Sequence, residues 1–378
     1  MIKMKKVLAL GMSLVLAGGM LAGCGKKKAD SNTIKIGGIA PLTGKVSVYG
    51  KATEEGYKLA IKQYNEKGGV LGKKIELKVY DDKGDNNEAI NAYNKLVNND
   101  GVDGIIGAVI SSNALAIAPK AAKDGIPMIT PTGTAGEITE AGNNIFRSCF
   151  TDPYQGGKIA KYATEDLKAK TAAIMYDPGN DYGVGLAKAF KETFEKSGGK
   201  VVADEGYTAN DKDYKSILTK VKGKNADVLF VPDYYNTVAL IGKQAKEVGI
   251  QSTLLGGDGW DGVVGIDKES VEGGYFSNHY AVNDPNPVVK DFVEAYKKEY
   301  NGKLPNAFAA LGYDAGVTLL EAIKKAGTTD SKKVVEALKN TDLELVSGKT
   351  KFDENRNPIK PVSVIKVVNG QYELAGKK

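Results

Sequence analysis

Residues 254–262 read LLGGDGWDG, and Gly257, Gly259 and Gly262 within them fit the spacing G-x-G-x-x-G. After a short apolar run, that spacing suits a loop that cradles the phosphates of a dinucleotide. Asp284 also lies roughly 20 residues further on, where a ribose-binding acid would stand. The surrounding chemistry opposes this use. Asp258 would set a carboxylate against a pyrophosphate. The stretch WDGVVGIDKESVEG that follows is broken by glycines and has no helical apolar face. Hydride transfer usually needs a proton donor or acceptor, and His279 is the only histidine. The Asp258 carboxylate is better suited to a cation.

Other residues at comparable places complete a site. Ser111-Ser112-Asn113 follows the apolar run GIIGAVI, and Pro131-Thr132-Gly133-Thr134 follows IPMIT. This set offers hydroxyls, a glycine and the unpaired N–H groups of a helix start, which favour a carboxylate. Tyr234 follows ADVLFV, and Asp258 follows STLLGG. An acid and a phenol suit an ammonium group. Tyr49-Gly50 and Tyr182-Gly183 stand beyond the first strand of each half. A zwitterionic α-amino acid clamped between the two sets satisfies both. Taken singly, each feature has a plainer reading: Ser111 and Ser112 as a helix N-cap pair, TPTGT as a turn, Asp258 as a turn acid, Tyr182 and Tyr234 as packing.

The elements that must position these residues form a repeat. The first half alternates helix-period and strand-like segments: GKATEEGYKLAIKQYNEKGG, KKIELKVY, DNNEAINAYNKLVNN, GVDGIIGAVI, ALAIAPKAAKDG and IPMIT. The helix over DNNEAINAYNKLVNN starts at Asp85 with Glu88 three residues on, a capping-box spacing. The same order returns about 130 residues later, where YGVGLAKAFKETFEKSGG echoes the first helix. SSNALAIAPKAAKDGIPMIT likewise aligns with YYNTVALIGKQAKEVGIQSTLLG. Two such arrays predict an α/β protein with two doubly wound parallel-sheet lobes. In such sheets ligands sit beyond the carboxyl ends of the strands, where the residues above fall. The last third supplies three helical patterns and then the hairpin-like KTKFDENRNPIKPVSVIKVVNGQYEL.

Over the whole of the expected mature chain, the sequence resembles the extracytoplasmic amino-acid-binding proteins of ABC importers, of the leucine/isoleucine/valine-binding type, with the type I periplasmic-binding fold. The stretches that carry the resemblance include IGGIAPLTGKVSVYG, GGVLGKKIELKVYDD, IIGAVISSNALA, GIPMITPTGTAGEIT, FRSCFTDPYQG, YDPGNDYGVGLAKAF and LLGGDGWDG. The resemblance implies two lobes joined by a three-crossover hinge that closes on ligand. Lobe one would comprise residues 34–148 plus 281–344, and lobe two residues 149–280 plus 345–378. It further implies that Ser111, Thr132 and Thr134 hold the ligand carboxylate by hydroxyl and backbone N–H. Asp258 would hold the ammonium, Tyr49, Tyr182 and Tyr234 would wall the pocket, and Trp260, Ile110 and Phe308 would touch the ligand side chain. Two positions depart from the best-known leucine binders, which have the longer Glu at the position of Asp258 and a small residue at that of Thr132. Those departures leave the ligand side chain open; branched-chain residues are the default.

The N-terminus bears on location. MIKMKK is basic, VLALGMSLVLAGGM is apolar but too short to span a bilayer, and LAGC follows at 21–24. Residues 1–23 thus read as a signal peptide, Cys24 as a lipidation site in a lipobox-like setting, and residues 24–33 as a lipidated tether on a bacterial membrane. With Cys24 lipidated, Cys149 has no partner, so the cores must hold the fold without a disulfide. The 378 residues suggest two domains at ~150 residues each. The formal charge is +6, and the leader holds Lys3, Lys5 and Lys6, so the remainder is near +3 with both signs interleaved. Nothing here suits a nucleic-acid surface. DDKGDNNE lacks the alternation of a calcium loop. No metal or cofactor is expected, and the partners expected are an amino acid and ABC permease subunits, for a monomer. Three functions are weighed: solute capture for an importer, a lipoprotein sensor presenting a bound amino acid to a membrane receptor, and, remotely, an NAD-type enzyme.

Overall fold

The computed structural model describes residues 32–378, so the proposed signal peptide, Cys24 and nearly all of the tether lie outside the described residues. Lobe one begins with β1 (Thr33–Ala40), α1 (Ser47–Glu66), β2 (Lys74–Asp81), α2 (Asn86–Lys95), β3 (Gly104–Ile106), α3 (Ser111–Asp124), β4 (Met128–Thr130), α4 (Glu137–Glu140) and β5 (Ile145–Arg147). Lobe two takes α5 (Asp152–Glu165), β6 (Thr171–Tyr176), α6 (Asp181–Lys196), β7 (Lys200–Gly206), α7 (Lys215–Lys222), β8 (Val228–Phe230), α8 (Tyr235–Val248), β9 (Thr253–Gly256) and β10 (Tyr275–Asn278). The chain then runs through α9 (Pro287–Glu299), α10 (Ala307–Ala326), α11 (Ser331–Lys339), β11 (Asp342–Leu345), β12 (Gly348–Lys351), β13 (Ser363–Val368) and β14 (Gln371–Lys377).

The repeat is present in the sheets. One sheet has the order β2-β1-β3-β4-β5, all parallel, and the other has β7-β6-β8-β9-β10, also parallel, extended by the antiparallel β13 and β14. Both strand orders reverse next to the first strand, so each lobe has its switch point beside its third strand. The short central strands are buried end to end, as apolar runs covered by helices on both faces should be. Helix ends follow local chemistry. Asp85 caps α2 by accepting from the N–H groups of Asn87 and Glu88 at 2.8 and 3.0 Å. Glu88 does not complete the capping box, because its carboxylate pairs with Lys83 at 2.8 Å. The Asn369-Gly370 turn between β13 and β14 takes positive φ at both residues, the hairpin geometry its sequence favours.

Helices α1 and α10 pack at backbone contact. A Cβ on Gly56 would stand 2.0 Å from the Ala309 carbonyl oxygen, and one on Gly312 would stand 2.2 Å from that of Thr53. This packing brings Phe308 onto Tyr49. The chain passes from the first sheet at β5 to α5, and from β10 back to α9. The third boundary differs from the implied 344/345. Phe352 packs its ring 5.1 Å from that of Phe146, and Arg356 donates to the carbonyls of Thr139 and Ile145 at 2.8 and 3.2 Å. Residues 345–356 therefore stay against lobe one, and the chain joins the second sheet only at β13. This excursion lies outside both repeated arrays, so the repeat carries no signal for it.

Candidate functional site

The ends of β3, β4, β8 and β9 converge on a small cleft between the lobes. Ser111, Thr132, Thr134, Ile110, Tyr49 and Phe308 line it from lobe one, together with Val109. Tyr182, Tyr234 and Asp258 line it from lobe two, with Gly259. Nine of the ten residues singled out for ligand contact thus meet at one cavity.

Trp260 does not join them, which corrects the expectation that it touches the ligand. It is fully buried, donates its indole N–H to the Val231 carbonyl at 2.8 Å, and lies against Phe276. A Cβ on Gly256 would stand 2.1 Å from its ring, so this glycine lets the indole turn inward beneath the loop.

The lobe-one wall is a set of donors. Ile110, not Ser111, occupies the N-cap position of α3 and makes no side-chain cap bond, so the N-cap reading of Ser111 fails. The Ser111 hydroxyl oxygen instead accepts from the N–H groups of Thr134 and Ala135 at 3.1 and 3.3 Å. The first N–H groups of α3 have no acceptor within the helix and carry its positive dipole end. The Thr132 hydroxyl is committed to the Val109 carbonyl at 2.7 Å, so its expected role as a hydroxyl donor to a carboxylate is corrected. The loop is held from behind by Arg147, a fully buried guanidinium that donates to the carbonyls of Gly133, Ala135 and Gly136 at 2.8–3.0 Å. Cys149 is buried beside it, its thiol donating to the Gly133 carbonyl at 3.1 Å. Burial pushes that thiol up to about 12.

The lobe-two wall is built around one carboxylate. Asp258 is 3 % exposed and opens a single 3-10 turn, Asp258–Trp260, in place of a phosphate-binding helix. Its Oδ1 accepts from the Tyr182 hydroxyl at 2.9 Å and the Gln155 amide at 3.0 Å, and its Oδ2 meets His279 Nε2 at 3.0 Å. Asp258 therefore has protein partners without a ligand. A carboxylate offers about four lone-pair sites, so three donors leave one, on Oδ2. Asp284 pairs with Lys377 and takes no part. The glycines admit a phenol: a Cβ on Gly257 would stand 2.6 Å from the Tyr182 hydroxyl. Tyr182 in turn accepts from the Gly259 N–H at 2.8 Å and stacks on Tyr234, ring centres 5.1 Å apart. Burial holds Tyr49, Tyr182 and Tyr234 well above the usual phenol range, so all three stay protonated.

Gln155 and His279 touch Asp258 and are positions that sequence reasoning did not select. Gln155 also donates to Asp152 at 3.0 Å and accepts from the Ser277 hydroxyl at 2.8 Å. Asp152 is fully buried, and desolvation together with the nearby Asp258 raises it to about 8. The lobes meet directly at Tyr49. It stacks on Phe308 with ring centres 4.0 Å apart, donates to the Gly259 carbonyl, and accepts from the Tyr235 N–H at 3.1 Å. Tyr235 and Asn236 reach back to the Lys45 carbonyl at 2.7 and 2.6 Å.

Two like α/β lobes around a small cleft, one wall rich in donors and the other acidic, define a solute-binding protein. The periplasmic binding protein family model matches residues 33–371. A leucine-, isoleucine-, valine-, threonine- and alanine-binding protein of Pseudomonas aeruginosa is 34% identical over 346 residues, covering 91% of this chain and 92% of its own. The Leu/Ile/Val-binding protein of Escherichia coli K12 is 31% identical over 345 residues, covering 89% and 92%. The crystal structure of a leucine-binding protein from Thermotoga maritima superposes with a TM-score of 0.86 at 38% identity, covering 91% of this chain and 98% of that one. The branched-chain amino acid transporter substrate-binding protein of Streptococcus pneumoniae, in complex with isoleucine, has a TM-score of 0.86 at 35% identity, covering 92% and 99%. The chain belongs to the periplasmic binding protein family. It is a binding protein and not an enzyme, so the dinucleotide reading of residues 257–262 is set aside.

Proposed function

We propose that the protein captures an α-amino acid, branched-chain by default, in the cleft between its lobes and delivers it to the permease of an ABC importer. The observation that carries this is the opposition of two half-sites across one small cavity: the Ser111 hydroxyl, Thr134 and the start of α3 on one wall, and Asp258 on the other. The first set suits a carboxylate and the second an ammonium group. Val109, Ile110, Phe308 and the tyrosines offer apolar surface to the side chain between them. The names of the Pseudomonas and Escherichia relatives, and the isoleucine in the Streptococcus structure, support the same class of ligand. The remaining lone-pair site on Asp258 Oδ2 is the contact assigned to the ammonium. Cys24 would tether a monomer outside the membrane, and replacing it with Ala would release the protein from cells.

A thermal-shift screen of the twenty amino acids tests the reading. Ligand at ~100 times its Kd stabilises the folded state by about 2.7 kcal/mol, so leucine or isoleucine should raise Tm by several degrees. Leucinamide, which lacks the carboxylate, and 4-methylpentanoate, which lacks the amine, should each give little shift. The assignment fails if no amino acid shifts Tm, or if 4-methylpentanoate shifts it as much as leucine does.

A further inference from the structure

The imidazole of His279 joins the acidic half-site to the hinge. It follows β10 on the chain segment that returns to lobe one, is 3 % exposed, and holds Asp258 Oδ2 through Nε2 at 3.0 Å. Its ring stacks on Phe150 of the first crossing, centres 3.6 Å apart and planes 25° apart. The preceding Asn278 accepts from the His279 N–H at 2.8 Å and donates to Asp261 at 3.2 Å. Asp261 accepts from the Ala307 N–H of lobe one at 2.9 Å. The other ring nitrogen, Nδ1, is buried and has no hydrogen-bond partner.

We propose that His279 is a positioning residue for ammonium capture, a neutral Nε2–H donor that orients Asp258 without cancelling its charge, so that protonating the imidazole puts it in competition with the ligand. This rests on the amino-acid reading of the cleft. A carboxylate only accepts, so Nε2 carries the hydrogen and Nδ1 is left as a bare lone pair. A second proton would have to sit on Nδ1, as a buried donor facing no acceptor. The charged groups around the ring are Asp258, which favours the cation, and Lys360 of the third segment, which opposes it. Asp152 and Cys149 stand behind Asp258, and burial raises both toward their neutral forms. Burial is the largest influence on the ring and lowers its pKa below the ordinary value. A lysine or arginine in its place would carry a permanent charge and form a closed pair with Asp258. The imidazole supplies one donor and leaves the negative charge to the ligand.

An ammonium and an imidazolium cannot both be neutralised by one carboxylate, so ligand binding expels a proton from His279. Affinity should fall on acidification below pH 7, with at most about tenfold per pH unit from this one linked proton; Asp152, raised to about 8 beside Asp258, titrates alike in the wild type and in the His279 variants. The chain has one histidine, so its ring signals in nuclear magnetic resonance are unambiguous. Leucine binding should be followed by calorimetry from pH 5 to 8 for the full chain, for His279→Gln, which keeps an amide donor but cannot titrate, and for His279→Leu, which removes the donor. The expected results are a ring neutral at pH 7 with its hydrogen on Nε2, a ring pKa lowered further by leucine, and a shallower acid loss in His279→Gln. His279→Leu should bind about ten- to hundredfold more weakly at pH 7, for loss of a hydrogen bond to a charged group. An imidazolium at pH 7, or the same acid slope in the wild type and His279→Gln, would overturn the proposal. If the wild type binds no amino acid at any pH, the amino-acid reading fails instead.

Discussion

The latch between the lobes gives the sharpest quantitative expectation. Tyr49 donates to the Gly259 carbonyl and accepts from the Tyr235 N–H at 3.1 Å, so one hydroxyl serves two backbone groups of lobe two. Tyr49→Phe keeps the ring and its stack on Phe308 and deletes only that oxygen. In the closed cleft it leaves a buried N–H and a buried C=O without a partner. Each such group costs about 1–3 kcal/mol, and a water entering the space would offset part of this. A net ~2–3 kcal/mol is expected, or roughly 30- to 150-fold in affinity at 1.4 kcal/mol per factor of ten. Opening the cleft hydrates both groups, so the unliganded protein should lose little Tm. Calorimetric titration with leucine, beside thermal unfolding without ligand, separates the two effects. An affinity within about twofold of the wild type would refute the view that this hydroxyl latches the closed form.

Three further outcomes are expected. Asp258→Asn should weaken leucine binding by about 3–5 kcal/mol, because the ligand ammonium loses its counter-charge; calorimetry checks this. Asp152 contributes stability that is complete below its unfolded value of ~3.9 and is lost as pH rises through its folded value of about 8. Asp152→Asn should therefore raise Tm at pH 8 and flatten the decline between pH 5 and 8, as a pH series of thermal melts would show. Cys149, buried and raised to about 12, should resist a thiol reagent at pH 8 until the protein is unfolded.

Much of the architecture was legible because parallel strands buried on both faces leave apolar runs, and helices between them leave periodic faces. The alignment of residues 111–130 with 234–256 corresponds to α3-β4 and α8-β9, which hold like places in sheets of like order. That equivalence made strand ends readable in pairs, which is how Ser111, Thr134 and Asp258 could be chosen together. The partners of Asp258 were not legible. Gln155 lies 103 residues from it in sequence, on the first turn of α5, where a polar residue signals nothing by period. His279 follows a buried strand end, and its stack on Phe150 exists only once the crossings come together. Rotamers were equally hidden: the Thr132 hydroxyl turns to the Val109 carbonyl, and Trp260 turns into the core.

The glycine spacing at 257–262 shows why a short motif carries a physical requirement and not a ligand. G-x-G-x-x-G demands close approach to the backbone, and close approach is what the structure has at Gly257 and Gly259. The group that approaches is the Tyr182 hydroxyl, which accepts from the Gly259 N–H and donates to Asp258. In a dinucleotide loop the corresponding N–H groups would face phosphate oxygens. Here the turn ends after three residues, no helix dipole follows, and a carboxylate stands at the point of approach. The same glycines that would admit an anion instead admit a neutral phenol, which fixes an acid and leaves its charge for a cation.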